Sequence, residues 1–261
     1  MSALGRVLRA PGLWAGLAIV HLVLAKIAAL PLVLMIAAAL KPFAIERVGG
    51  LLPLLAELFI ANKPLVVALV AALVTSAVLS TLLWVLLGGG IVWRLHRQGS
   101  AAETFAAAVR HLPSMAVLTI YCVIVRVLLV LAFGLVGLTS GSLRWLAIVL
   151  VWSLTSVALD LARSEVVLKG TKAFHPRTLA RAFVFAFSHP RVWLASGLLT
   201  LVGFAISLGI LAIASRTFGD AGLALYGVRG LAVLGVGVSL WRIAIAVRAT
   251  EESLAGDTGE A

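Results

Sequence analysis

The sequence has very little cysteine and little acidic charge. Cys122 is its only cysteine, so no disulfide can form within the chain and the redox environment stays open. Ten Asp and Glu stand against twenty-one Lys and Arg, which gives a formal net charge of +11. The basic residues cluster beside the ends of apolar segments, where membrane topology and anionic lipid account for them. We therefore expect no nucleic-acid partner.

Familiar catalytic and nucleotide-binding motifs are also missing. The sequence contains no H-E-x-x-H metal pair, no G-x-S-x-G nucleophile elbow and no G-x-x-x-x-G-K-[ST] phosphate loop. Its five histidines are scattered along the chain. We therefore predict no catalytic residue, no metal site and no cofactor.

Long apolar runs dominate what remains. Hydrophobic residues make up 62% of the 261 residues, and the mean hydropathy is +1.16. Soluble domains contain only about 45–50% apolar residues. Runs of this length, with few charges, are typical of helices that span a bilayer. We predict an all-α, multi-pass transmembrane bundle formed by a single domain over 1–250, followed by a disordered acidic tail over 251–261.

Six segments are long enough to span the membrane. They cover approximately 12–40, 64–93, 113–138, 143–168, 190–214 and 222–247. With this arrangement, thirteen Lys and Arg fall on the side of the termini and six on the other side. Since positive residues are enriched on the cytoplasmic side, both termini are predicted to be cytoplasmic.

The spans are predicted to form three helical hairpins. A short amphipathic stretch and then a proline precede the first, third and fifth spans, at Pro11, Pro113 and Pro190. Proline suits the first turn of a helix, where its missing N–H costs nothing. We interpret the stretches as interfacial helices that connect the hairpins, and 101–112 and 176–188 are the longest of them.

Helical spacing of apolar residues supports both interfacial helices. In 176–188 the apolar stripe consists of Leu179, Ala182, Phe183, Ala186 and Phe187. In 101–112 it consists of Phe105, Val109 and Leu112. Each stripe is expected to face the apolar part of the membrane.

Three consecutive glycines, Gly88 to Gly90, lie within the second span. Each weakens a helix by about 1 kcal/mol relative to alanine, so the run needs a reason. A hinge and a close crossing with another helix are the two alternatives, and we favour the crossing.

Two cations lie at mid-membrane depth. Arg126 follows Pro113 by thirteen residues, or ~20 Å of helix, and Lys26 lies at a similar depth with His21 nearby. A central arginine costs about 2.5–3.5 kcal/mol, so an offsetting charge is expected. Asp160 is the one acidic residue placed well inside a span. We predict an Arg126–Asp160 pair with Lys26 as the competing partner, either as a structural pair or as part of a proton, ion or headgroup site.

Arginines beside the cytoplasmic span ends are candidate contacts for lipid headgroups. They are Arg94, Arg97, Arg110, Arg163, Arg177, Arg181 and Arg242.

One region resembles a known group of proteins. A span ends with Asp160-Leu161-Ala162-Arg163, and the basic segment after it contains T-L-A-x-A-F at 178–183. This combination is similar to uncharacterised six-helix bacterial inner-membrane proteins, including the membrane domain fused to some glycerophosphodiester phosphodiesterases. The resemblance covers roughly residues 150–200. It implies a bacterial inner-membrane protein without catalytic residues of its own.

Three functional hypotheses follow from the sequence. The leading one is a non-enzymatic integral membrane protein that organises lipid or a partner membrane protein, with anionic lipid on the cytoplasmic face. Its partner is either another membrane protein or a second copy of the chain. The second hypothesis is a small transporter or channel that uses the buried Lys26, Arg126 and Asp160. An intramembrane enzyme is the third.

Overall fold

A computed structural model of the chain describes residues 2–40, 63–97, 99–135, 141–170, 176–216 and 221–259. Nearly all of these residues are α-helical, and no strand occurs in these ranges. The helices, in chain order, are α1 (Ala3–Leu8), α2 (Pro11–Leu40), α3 (Lys63–Arg97), α4 (Ala101–Leu135), α5 (Gly141–Lys169), α6 (Pro176–Ser188), α7 (Pro190–Arg216) and α8 (Ala221–Gly259).

Within the described residues, five helices are long and apolar enough to cross a membrane. The qualifying segments are Pro11–Ala28, Val66–Arg97, Ala101–Ala132, Ala147–Lys169 and Arg229–Ala255. This finding supports the expectation of a multi-pass helical membrane protein. The predicted span 190–214 is also helical, as part of α7, but it is not among these five. Residues 136–138 of the third predicted span lie outside the described residues.

The described chain divides into two compact units. One contains Met1–Trp14, Trp84–Gly203 and Gly237–Ala261, and the other contains Ala15–Leu83 and Phe204–Val236. In the first unit α4 packs against α5, and α6 packs against α5 and α4. Its largest fully buried side chains include Ile91, Leu95, Met115, Leu118 and Leu240.

Two of the short amphipathic stretches form separate helices. α1 begins after Ser2, whose hydroxyl accepts a hydrogen bond from the Gly5 backbone N–H at 3.2 Å, and it ends before Pro11. α6 spans 176–188, the range that its sequence predicts, and α7 begins at Pro190. One face of α6 is buried at Thr178, Leu179, Ala182 and Ala186.

The apolar stripe of α6 differs from the expectation. Leu179, Ala182 and Ala186 are buried within the protein, whereas Phe187 is exposed. A stripe of small and apolar side chains therefore serves to dock α6 on α5. In 101–112 the stripe residues Phe105 and Val109 are exposed, as expected for a surface in contact with lipid.

The predicted break at Pro113 is wrong, because α4 runs through this proline without interruption. The glycines of α3 explain the continuity. A Cβ at Gly89 would lie 2.7 Å from the Cβ of His111, and one at Gly88 would lie 3.5 Å from the sulfur of Met115. α4 is thus docked on α3 on both sides of Pro113, which holds the two halves together. These contacts also confirm the close helix crossing at Gly88–Gly90.

The prediction that the acidic tail is disordered is also wrong in part. α8 continues to Gly259, so residues 251–259 are helical where the sequence suggested disorder. Residues 41–62 and 260–261 lie outside the described residues.

Candidate functional site

A single buried carboxylate organises the charges of the first unit. Oδ2 of Asp160 accepts a hydrogen bond from Nε of Arg242 at 2.6 Å. Nη1 of Arg163, one turn further along α5, lies 3.8 Å from Oδ1 of Asp160. The Asp160 side chain is 2% exposed, so both guanidinium groups meet it away from solvent. Asp160 is therefore a shared counter-charge for α5 and α8.

The predicted Arg126–Asp160 pair is wrong. Arg242 occupies the place beside Asp160 that Arg126 was expected to take. Arg242 was expected at the end of a span, but α8 continues for many residues beyond it and the candidate span runs to Ala255. Because the helix is longer than predicted, Arg242 lies inside the span at the depth of Asp160.

Arg126 is instead held by neutral groups of α5. Its Nε donates to Oγ1 of Thr155 at 3.0 Å, and its Nη2 donates to Oγ of Ser156 at 3.1 Å. Its guanidinium carbon lies 3.8 Å from the centre of the Trp152 ring, a cation–π contact. No described carboxylate lies within salt-bridge distance of Arg126. Its direct contacts are therefore two hydroxyl dipoles and an aromatic face.

Arg163 links the carboxylate to α4. Its Nη2 donates to Oγ1 of Thr119 at 3.1 Å, and Thr119 donates in turn to the backbone carbonyl of Met115. Nε of Arg163 and Oδ1 of Asp160 are buried without a hydrogen-bond partner among the described residues. Unsatisfied buried polar atoms are uncommon in proteins and mark places where a further polar group can bind.

We call Arg126, Asp160, Arg163 and Arg242 the arginine cluster. It combines three guanidinium groups with one carboxylate, a formal charge of +2. Charges interact more strongly in a low-dielectric interior than in water, so an excess of two positive charges attracts an anion there. The chemistry that the cluster supports is anion binding.

The remaining members of the predicted charge group belong to the other compact unit. His21 Nδ1 lies 3.1 Å from the backbone carbonyl of Leu17, and its Nε2 lies 3.5 Å from the hydroxyl of Ser80. Lys26 is exposed, and no described carboxylate forms an ion pair with it. The contact with Ser80 joins α2 to α3 within that unit.

The arginines expected to contact headgroups fall into two sets. The prediction is wrong for Arg163 and Arg242, because their guanidinium groups lie beside the Asp160 carboxylate inside the first unit. Arg97, Arg110, Arg177 and Arg181 are exposed and Arg94 is half-buried, so their headgroup contacts stay predictions. Two of them have protein partners: the guanidinium carbon of Arg97 lies 4.8 Å from the Trp93 ring centre, and Arg181 lies 3.2 Å from Glu165.

Sequence reasoning missed the neutral residues that hold Arg126. They belong to the run Trp152-Ser153-Leu154-Thr155-Ser156 in the middle of α5. Three hydroxyl side chains within five residues at mid-span depth were a usable signal, because polar side chains in a membrane helix tend to face other helices. Ser153, Thr155 and Ser156 are indeed buried.

A second ionic contact joins the two ends of the chain. Arg6 of α1 donates to both carboxylate oxygens of Glu251 in α8, at 2.7 and 2.5 Å, and His96 of α3 approaches the same carboxylate at 2.6 Å. The hydrogen bonds to Glu251 raise the pKa of Arg6, and partial burial opposes that rise. The sequence did not predict this contact, because the residues after 250 were expected to form a disordered tail.

The described ranges contain no group of three or more metal-ligating side chains that could hold a metal ion. Cys122 is buried, and its thiol donates to the backbone carbonyl of Thr155 at 3.4 Å.

Comparison with protein-family models, curated proteins and solved structures found no match to this chain. The resemblance to six-helix bacterial membrane proteins therefore stays a prediction.

Proposed function

We propose that the protein is a non-enzymatic, six-span protein of the bacterial inner membrane that binds and organises anionic lipid. In this proposal the spans form three hairpins and both termini are cytoplasmic. The bound lipid contacts the arginine cluster through Arg126.

The arrangement around Arg126 supports the proposal most directly. Asp160 is engaged by Arg242 and Arg163, so Arg126 keeps an unneutralised charge. A central arginine in a bilayer costs about 2.5–3.5 kcal/mol unless water, a counter-ion or a headgroup reaches it. A lipid phosphate that moves toward Arg126 would offset this cost.

The surroundings of Arg126 suit access from the lipid. Trp152, which the guanidinium contacts, is 44% exposed. Val123 and Val127, which neighbour Arg126 on α4, are also exposed. Nε–H and one N–H of Nη2 donate to Thr155 and Ser156, so the other N–H groups of the guanidinium can donate to a phosphodiester. The fixed hydrogen bonds hold the guanidinium in place, which reduces the entropic cost of binding.

A small-anion transporter is the second candidate function. It is favoured by the buried Nε of Arg163 and Oδ1 of Asp160, which have no described hydrogen-bond partner. The Nε–H of Arg163 can donate to a small anion, and Oδ1 of Asp160 can accept from a water molecule, on a path through the bundle. This candidate requires passage of an anion across the membrane, whereas lipid binding requires only access from one leaflet.

Lipid retention tests the proposal. The wild-type protein and Arg126→Leu would be extracted in mild detergent, and bound phosphatidylglycerol would be counted by native mass spectrometry. We expect the variant to lose about fivefold in phosphatidylglycerol retention, because it lacks the charge that binds the phosphate; a fivefold loss corresponds to roughly 1 kcal/mol. Arg248→Leu is the matched control, because Arg248 is an exposed arginine paired with Glu252 on the same helix. Equal retention by all three proteins would reject the proposal.

Vesicle measurements separate the two candidates. Proteoliposomes loaded with radiolabelled phosphate report anion flux, which the lipid-binding function does not require. Flux that depends on Asp160 and Arg163 would support the transporter instead.

A further inference from the structure

A cleft of 190 Å³ opens between α5, α6 and α8 of the first unit, away from the residues that hold Arg126. Its polar lining consists of Glu165, Lys169, Arg181, Thr250 and Ser253. The volume is well above the ~10–15 Å³ that one water molecule needs, so the cleft has room for a polar group of several heavy atoms.

The lining carries both signs of charge. Glu165 is 14% exposed and lies against Arg181, which is 61% exposed, with 3.2 Å between their charged atoms. Lys169 follows Glu165 by one helical turn and is exposed. The carboxylate therefore belongs to the wall of the cleft, and the two cations lie nearer to solvent.

We propose that this cleft binds the headgroup of a zwitterionic phospholipid with a primary ammonium, such as phosphatidylethanolamine. Arg181 and Lys169 bind the phosphodiester, and Glu165 binds the ammonium. This site is separate from the Arg126 site and differs from it in selecting a lipid that has no net charge.

The two signs of charge in the cleft favour a zwitterionic headgroup over an anionic one. A purely anionic headgroup would gain from Arg181 and Lys169 but would be repelled by the Glu165 carboxylate. A zwitterionic headgroup uses all three groups. The Glu165–Arg181 pair must open to admit it, and the phosphodiester and the ammonium of the headgroup then replace the opposite charge that each side chain loses.

The hydroxyl groups fit the same ligand. Thr250 donates its hydroxyl proton to the backbone carbonyl of Ala246 at 2.9 Å, so its oxygen can only accept a further hydrogen bond. An ammonium supplies three donors and matches such an acceptor.

The apolar surface of α6 favours a lipid over a soluble ligand. Val184 and Phe187 are both strongly exposed on this helix. Acyl chains of a lipid bound at the cleft can cover such side chains, which a soluble headgroup cannot do. A soluble phosphoethanolamine compound shares the polar chemistry and must be distinguished by experiment.

The test measures lipid selection in nanodiscs that contain equal amounts of phosphatidylethanolamine and phosphatidylglycerol. Native mass spectrometry gives the ratio of the two lipids released with the protein. We expect the wild type to be enriched in phosphatidylethanolamine and Glu165→Gln to lower the ratio about fivefold, the effect of one surface charge. Arg181→Gln should reduce retention of both lipids. Glu252→Gln and Arg248→Gln are matched controls, since both residues are exposed and neither lines the cleft.

Three results would overturn the proposal. The first is an unchanged lipid ratio in the Glu165→Gln variant, provided that this variant melts at the wild-type temperature. If that variant does not fold, the Lys169→Gln/Arg181→Gln double variant replaces it, and wild-type retention of phosphatidylethanolamine by the double variant counts against the site. The third is release of the bound lipid by millimolar glycerophosphoethanolamine, which would identify a soluble ligand. Arg126→Leu should lower phosphatidylglycerol retention and leave phosphatidylethanolamine retention unchanged, so the two sites can be rejected independently of each other.

Discussion

Nε of Arg242 lies 2.6 Å from Oδ2 of Asp160, although the two residues are 82 positions apart in the chain. The contact joins α8 to α5 through a carboxylate that is almost completely buried. Arg163 lies within 4 Å of the same carboxylate, so one carboxylate is the counter-charge of two guanidinium groups. We expect the stability of the first unit to depend on how these charges are matched.

Removing the Asp160 carboxylate should destabilise the protein more than removing Arg163 or Arg242. Asp160→Leu leaves Arg163 and Arg242 buried without their counter-charge, and breaking a buried pair commonly costs about 3–5 kcal/mol. Arg242→Leu should cost less, because Arg163 still faces Asp160. Melting temperatures in detergent measure both effects.

A double-mutant comparison identifies the partner of Asp160. The Asp160→Leu/Arg242→Leu variant should recover part of the loss, because it removes both ends of one pair. Asp160→Leu/Arg126→Leu should show a smaller coupling. Equal coupling in the two double variants would contradict the assignment of Arg242 as the main partner.

Substitutions in the glycine run should differ in severity. A Cβ at Gly90 would collide with the backbone carbonyl of Thr104, whereas one at Gly88 would meet only ordinary contacts, the closest at 3.5 Å. We expect Gly90→Ala to destabilise by about 1–3 kcal/mol through overpacking. Gly88→Ala is the matched control and should be neutral or stabilising by up to about 1 kcal/mol through higher helix propensity. Equal melting temperatures for the two variants would refute the close crossing.

The Arg6–Glu251 contact should hold α1 in place over a wide pH range. The raised pKa of Arg6 means that its contribution is present below its ordinary pKa and is lost only at still higher pH. Amide exchange in α1 should therefore show no loss of protection attributable to Arg6 between neutral pH and about pH 10. Arg6→Gln and Glu251→Gln should each accelerate exchange in α1. Wild-type exchange in both variants would show that the contact does not anchor this helix.

The topology can be tested with reporter fusions. More Lys and Arg fall on the membrane side that holds the termini than on the other side. This excess predicts that Ala261 is cytoplasmic and that Glu57 is external. Phosphatase and fluorescent-protein fusions at these two positions should report opposite compartments. The same compartment for both would contradict the six-span arrangement.

Hydropathy predicted the helices well because long apolar segments have few alternatives in a membrane protein. All six predicted spans fall within helices where they are described, and α6 was predicted from its amphipathic spacing and flanking prolines. Pro113 misled the prediction, because docking of α4 on the glycines of α3 maintains the helix across it.

The charge partners were harder to predict. Depth can be estimated from helix rise, but the direction of a side chain around the bundle depends on packing that one sequence does not reveal. The sequence therefore placed Asp160 within reach of the Arg126 side chain, and it placed Arg242 at the end of a span. The hydroxyl groups of Thr155 and Ser156 were the available clue to the true environment of Arg126.

The central claim is that a lipid phosphate approaches Arg126. Solid-state NMR can measure it directly, by recording dephasing of guanidinium ¹⁵N signals by ³¹P in phosphatidylglycerol bilayers. We expect the wild type to show a dephased arginine signal that is absent from Arg126→Lys, a variant that keeps the positive charge and lacks the guanidinium. Identical dephasing in the two proteins would show that no phosphate lies beside Arg126 and would contradict the account.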